Sequence, residues 1–161
     1  NGATEYLYCL KIAGGACNWK SVGTATSAVV TGLIPASDYV WEVQAKNGWG
    51  SNYGNGGAWW NFTTLPKPGA FGKTSPANNT IKRPITLTLY WGASSNVAKF
   101  EYCLKKSMSA SCTWKSTGLT RHVTLPGLVK NTKYFWQVRA KNASGTTIAN
   151  DGTWWNFTTI P

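Results

Sequence analysis

The sequence predicts an all-β protein built as two tandem β-sandwiches, the first lacking its two N-terminal strands. Three observations carry this. The phrase "WWNFTTLP" at residues 59–66 returns as "WWNFTTIP" at residues 154–161, closing an internal repeat. Apolar and polar residues alternate through a series of short segments, with no sustained period of 3.6. Aromatic residues (10 Trp and 7 Tyr) and turn-forming Gly are spread along the chain, a composition that suits strands and short turns.

The repeat sets the domain boundaries. Trp19 and Trp114 stand 95 residues apart, and at that spacing residues 17–66 and 112–161 share 23 of 50 identities. Between Cys9 and Cys103 the spacing is 94, so the loop joining each pair of cysteines is one residue longer in the second copy. The expected domains are 1–66 and 71–161, with residues 67–70 of "LPKPGA" as a short, stiff Pro/Gly linker. Each copy has fewer than ~100 residues, a size that folds but is marginal without help. The copies are unequal. Residues 71–99 of the second have only "NGATE" as a counterpart in the first.

In the second copy each strand can be read in turn. "ITLTLYW" places Leu87, Leu89 and Trp91 on one face and Thr86, Thr88 and Tyr90 on the other. "KFEYCLK" sets Phe100, Tyr102 and Leu104 against Glu101, Cys103 and Lys105. "HVTLPGL" offers Val123 and Leu125. "KYFWQVRAKN" sets Tyr134, Trp136, Val138 and Ala140 against Phe135, Gln137, Arg139 and Lys141, and "TWWNFTT" ends with Trp155 and Phe157 inward.

At this point the chain resembles a known family. "LPGLVKNTKYFWQVRAKNASG", and "TGLIPASDYVWEVQAKNGWG" in the first copy, are similar to the fibronectin type III pattern of Leu, a short turn, then Tyr-x-x-x-Val-x-Ala-x-Asn-x-x-Gly. The resemblance, which covers essentially the whole chain, implies immunoglobulin-like sandwiches of the kind found in tandem in large secreted bacterial proteins. It implies that Tyr39 and Tyr134 begin the sixth strand, with the hydroxyl bonded to nearby backbone as a tyrosine corner. It also implies that Trp91 is the buried Trp of the second strand. The cysteines depart from the pattern, because most such domains carry no disulfide.

The cysteines form two local pairs, Cys9 with Cys17 and Cys103 with Cys112, at equivalent positions of the repeat. Knuckle spacing is absent and the single His cannot complete a zinc site, so the pairs read as disulfides formed in an oxidising compartment. Each would staple a hairpin across the face away from the core, stabilising it by ~2–3 kcal/mol. The expected location is secreted or at the cell surface.

Residues able to do chemistry do not recur. None of the five acids has an acidic counterpart in the other copy, His122 is alone, and the Gly clusters lack the Lys and helix of a phosphate loop. No catalytic, cofactor or metal site is expected, and the protein is read as a non-enzyme. The net charge of +11 favours anionic partners such as acidic polysaccharide or cell-wall polymer. The basic residues are scattered singly, however, and solubility explains them more simply. Nucleic-acid signatures are missing, and no apolar run reaches the ~20 residues of a membrane helix.

Strand parity puts Trp41, Trp60, Trp91, Trp136 and Trp155 in the core. Trp19, Trp59, Trp114 and Trp154 fall on the outward face beside the disulfides, with Arg139 and Lys105 in the second copy. Such a strip could stack on sugar rings or meet another subunit. The simpler reading lays the rings over the disulfide and the Lys/Arg stems. Glycosylation-type sequons begin at Asn61, Asn78, Asn142 and Asn156.

The expected function is that of a non-catalytic extracellular repeat module: a spacer, an adhesive unit or a fibre-forming scaffold. Its partners would be neighbouring modules of an array or other copies of itself. The alternative is a carbohydrate- or cell-wall-binding module using the outward Trp residues. The missing front makes one further expectation. Tyr39, Trp41, Val43, Trp60 and Phe62 should face water, beside an unpaired strand at residues 28–31. Either a longer array or another chain would supply the missing strands.

Overall fold

The computed structural model describes residues 2–161 and divides them into two units, Asn1–Leu65 and Pro66–Pro161. The second is a two-sheet sandwich. Its larger sheet takes β7 (Thr80–Arg83), β9 (Lys99–Lys105), β10 (Lys115–Gly118), β12 (Lys133–Asn142), β13 (Gly145–Ile148) and β14 (Trp155–Thr159). The order is β10-β9-β12-β14-β7, with β13 also paired to β12. The smaller sheet has the order β11-β8-β6, from β6 (Lys73–Ser75), β8 (Leu87–Trp91) and β11 (His122–Leu125).

The alternation read from the sequence fills the space between these sheets. Leu87, Leu89 and Trp91 come from β8, Phe100 and Tyr102 from β9, and Tyr134, Trp136, Val138 and Ala140 from β12; with Phe157 they form one buried cluster. Tyr134 makes the corner that the resemblance implies, its hydroxyl accepting the Val129 N–H at 2.9 Å. Two strands escape the pattern reading. The front section contributes β7 as well as β6 and β8, because the chain leaves the small sheet near Pro76 and pairs parallel to β14. Residues 145–148 form β13 before a 3₁₀ turn at Ala149–Gly152 separates it from β14.

The segment read as a linker is held by the second unit. Pro68 is buried, Gly69 N–H donates to Ser95 O at 3.0 Å, and Asn142 Nδ2 donates to Pro66 O at 2.8 Å.

The first unit is a single sheet of β1 (Glu5–Ile12), β2 (Lys20–Gly23), β3 (Asp38–Asn47), β4 (Gly50–Tyr53) and β5 (Trp60–Thr63). The order is β2-β1-β3-β4, with β5 also on β3. This repeats the larger sheet of the second unit strand for strand, apart from β7. Among the described residues nothing in this unit matches β6 and β8, and residues 28–31, expected as a strand, form none. Their counterpart β11 is a strand because β8 pairs with it. Without that partner the backbone has no ladder to join.

Exposure follows. Val138 and Phe157 are each 0% exposed, whereas their counterparts Val43 and Phe62 are 37% and 38% exposed. Trp136 is fully buried where Trp41 is half-buried, and Trp155 is half-buried where Trp60 is 55% exposed. Two residues depart from the expected exposure: Trp41 is half-buried, and Tyr39 is buried at 7%. Its ring stacks on Phe62 at 5.6 Å and its hydroxyl accepts Ile34 N–H at 3.0 Å, so the corner shields it from its own sheet side.

Candidate functional site

The repeated phrase has a structural meaning in both units. Its last Thr bridges the turn ahead of the long strand. Thr159 Oγ1 accepts Thr132 N–H at 3.0 Å and donates to Val129 O at 2.7 Å; Thr64 Oγ1 does the same with Ser37 N–H at 3.0 Å and Ile34 O at 2.6 Å. The Phe stacks on the corner tyrosine, Phe157 on Tyr134 and Phe62 on Tyr39, with 5.6 Å between centroids in each. The second Trp meets a Trp edge to face, Trp155 with Trp136 at 6.0 Å and Trp60 with Trp41 at 5.4 Å. The sequence reading found the motif but not the role of Thr64 and Thr159, which a hydroxyl recurring after a Phe could have signalled.

The first Trp of the phrase lies outward beneath a lysine. Lys105 Nζ sits 4.3 Å from the Trp154 centroid while donating to Met108 O and Ala110 O, and Lys11 Nζ sits 4.7 Å from Trp59. Arg139 lies over Trp114 at 4.2 Å and pairs with Glu101 at 2.6 Å; Lys99 bonds the other Glu101 oxygen at 2.8 Å. The Lys99 ammonium and the Arg139 guanidinium hold the Glu101 carboxyl below its ordinary 4.5, against the burial that opposes them. In each unit the two cysteines are bonded, with Cα atoms 5.9 Å apart. The outward face of the second unit is therefore a covered layer, with Cys103 and Glu101 buried and Trp114 and Trp154 half-buried.

The first unit displays more of its strip. Trp59 is 38% exposed, with Trp19 at 6.4 Å and the Trp19 ring 5.8 Å from Tyr53. Gln44 stands where the second unit has Arg139, so no guanidinium covers Trp19. Of the sequons, Asn61 and Asn78 are exposed. The Asn142 amide donates to Pro66 O and Asn96 O, and that of Asn156 donates to Asn78 and Asn79.

Strand parity also misses a buried polar pair. Between Trp136 and Arg139, β12 changes partner from β14 to β13, leaving the Val138 N–H without a ladder acceptor. Gln137 Oε1 takes that N–H at 2.9 Å and also receives Lys73 Nζ at 2.7 Å. Both Gln137 Nε2 and Lys73 Nζ donate to Thr153 O, at 2.9 and 2.6 Å. The lysine lies 5.6 Å from Trp136 and 5.5 Å from Trp155, and burial lowers its pKa to about 7. Nothing in the sequence reading of the front section marks Lys73 as buried.

The open side of the first unit is an apolar groove of ≈ 510 Å³, lined by Tyr6, Tyr8, Leu10, Trp41, Val43 and Phe62 and by Val30 from the strandless segment.

Comparison with known proteins fits this geometry. No family model matches the sequence. Chitinase A1 of Niallia circulans is 30% identical over 131 residues, which is 78% of this chain and 18% of that enzyme. The chain thus spans less than a fifth of the curated relative's length. Among solved structures, the FN1–FN3 domains of chicken CNTN1 match all of this chain and 58% of that one, with a TM-score of 0.52 and 14% identity. The fold is that of fibronectin type III modules.

Proposed function

We propose that this chain, a pair of fibronectin type III-like modules, is a non-catalytic extracellular repeat that spaces or anchors the working parts of a longer protein. One observation carries the reading. In both units four of the six side chains of "WWNFTT" hold the sheet together: one hydroxyl bridging a turn, two rings packed on rings, and one ring under a lysine. The recurring residues serve durability. The two disulfides support a place outside the cytoplasm, and the similarity to a chitinase over only 18% of its length is consistent with an accessory part.

A second reading has its own support. The partly exposed Trp59, with Trp19 and Tyr53 beside it, is an aromatic platform of the kind that stacks on sugar rings. Co-sedimentation with chitin, cellulose and peptidoglycan separates the two. The spacer reading expects no retention. Retention lost in Trp59→Ala and kept in Trp154→Ala would replace it with a polysaccharide-binding module.

A further inference from the structure

The open face of the first unit carries three features that an apolar surface alone does not explain. The first is residues 27–30, the counterpart of β11, which lie along the groove without a strand partner. The second is Asn55. Its counterpart Asn150 docks β6 by accepting Lys73 N–H on Oδ1 at 2.9 Å and donating its own N–H to Phe71 O at 3.0 Å. Asn55 repeats both the residue and the left-handed backbone, with φ 47° against 51°.

The third is Glu42, which stands where the second unit has Gln137 and is 3% exposed. Its Oε1 accepts Val43 N–H at 2.8 Å, as Gln137 does with Val138, but its Oε2 is buried with no hydrogen-bond partner among the described residues. A buried carboxylate without a counter-charge is costly. In the second unit the Lys73 ammonium donates to Gln137 Oε1, beside the Nε2 that Thr153 O holds.

We propose that this face is the seat of a strand pair built like residues 73–91, which enters β1 in cis through residues 2–4 and sets a lysine or arginine on Glu42. The approach to β1 supports delivery in cis. Thr4 N–H donates to Lys46 O at 2.8 Å, as Ala98 N–H donates to Lys141 O at 2.8 Å where β8 leads into β9. The inner strand of the pair adds beside residues 27–30 and turns them into a strand. Its alternate apolar side chains cover Trp41, Val43 and Phe62. The outer strand hydrogen-bonds Asn55 and directs its cation into the gap where β3 exchanges β5 for β4. The inference does not depend on what the modules do.

The test grafts a second copy of residues 71–98 directly ahead of Glu5 in the full chain. The expected result is loss of fluorescence from a hydrophobic dye and a rise in amide protection of β1 by roughly a hundredfold. Lys73→Met in the grafted copy should remove much of the gain, and less of it in a Glu42→Gln background. Unchanged protection and dye binding would overturn the seat. A lysine substitution without effect beside Glu42 would overturn the ion pair. A stable dimer of the ungrafted chain that binds no dye would assign the face to a second copy. Should the graft fail to fold, Glu42→Gln in the chain as it stands keeps the idea testable. It should raise protection of β3, and a fall would show that the carboxylate is already satisfied.

Discussion

Val138 and Val43 are the same residue at the same place in the repeat, one 0% and the other 37% exposed. Valine-to-alanine removes two methylene equivalents, ~1.6 kcal/mol of transfer free energy at ~0.8 each when fully buried. In the closed unit the substitution also leaves a void within the buried cluster, raising the cost of Val138→Ala to about 2–3 kcal/mol. In the open unit the side chain faces a groove, no closed cavity forms, and Val43→Ala should cost no more than about 1 kcal/mol. Because both units contain Trp, bulk fluorescence would mix them. Hydrogen exchange read separately on β12 and β3 keeps them apart. Val138→Ala should lower protection of β12 by roughly 30- to 150-fold, and Val43→Ala should lower that of β3 by only a few-fold. Equal losses in the two strands would refute the reasoning, since they would require Val43 to be as well enclosed as Val138.

Three other outcomes follow from the geometry. Tyr134→Phe removes the acceptor of Val129 N–H and should destabilise the second unit by about 1–2 kcal/mol in urea titration; an unchanged midpoint would show that the corner bond is replaced by water. Glu101 titrates lower in the folded unit than in the unfolded chain, so its contribution is fully present above about pH 4.5 and lost as pH falls through the folded value. Glu101→Gln should therefore flatten that part of the acid-unfolding profile, and an identical slope would deny the pairing with Lys99 and Arg139. Replacing both Cys103 and Cys112 with Ala should cost about 2–3 kcal/mol. Non-reducing peptide mapping should return links within each unit, whereas free thiols or a link between units would contradict the structure.

Much of the fold was legible because period-two alternation reports directly on burial when both sheets are present. Leu87, Leu89 and Trp91 could be assigned to the core from parity, as could Tyr134, Trp136 and Val138. Parity failed where side chains are long enough to cover a face by themselves. Glu101 and Cys103 point away from the core and are still buried, under Arg139 and Trp114. It failed again at Lys73 and Gln137, because a break between β13 and β14 is invisible in the pattern of β12. Parity names the face a residue is on and not whether another sheet lies over it: Trp60 has core parity and is 55% exposed, as expected from the missing front strands. Residues 28–31 are the mirror case, a sequence able to pair whose partner is missing.

The most direct test of the account compares amide exchange at residues 27–30 with that at their counterparts in β11. Strong protection is expected across β11, where β8 pairs with it, and exchange near the unstructured rate at residues 27–30. Matching protection in the two segments would mean that the first unit is already closed, and it would contradict the open seat.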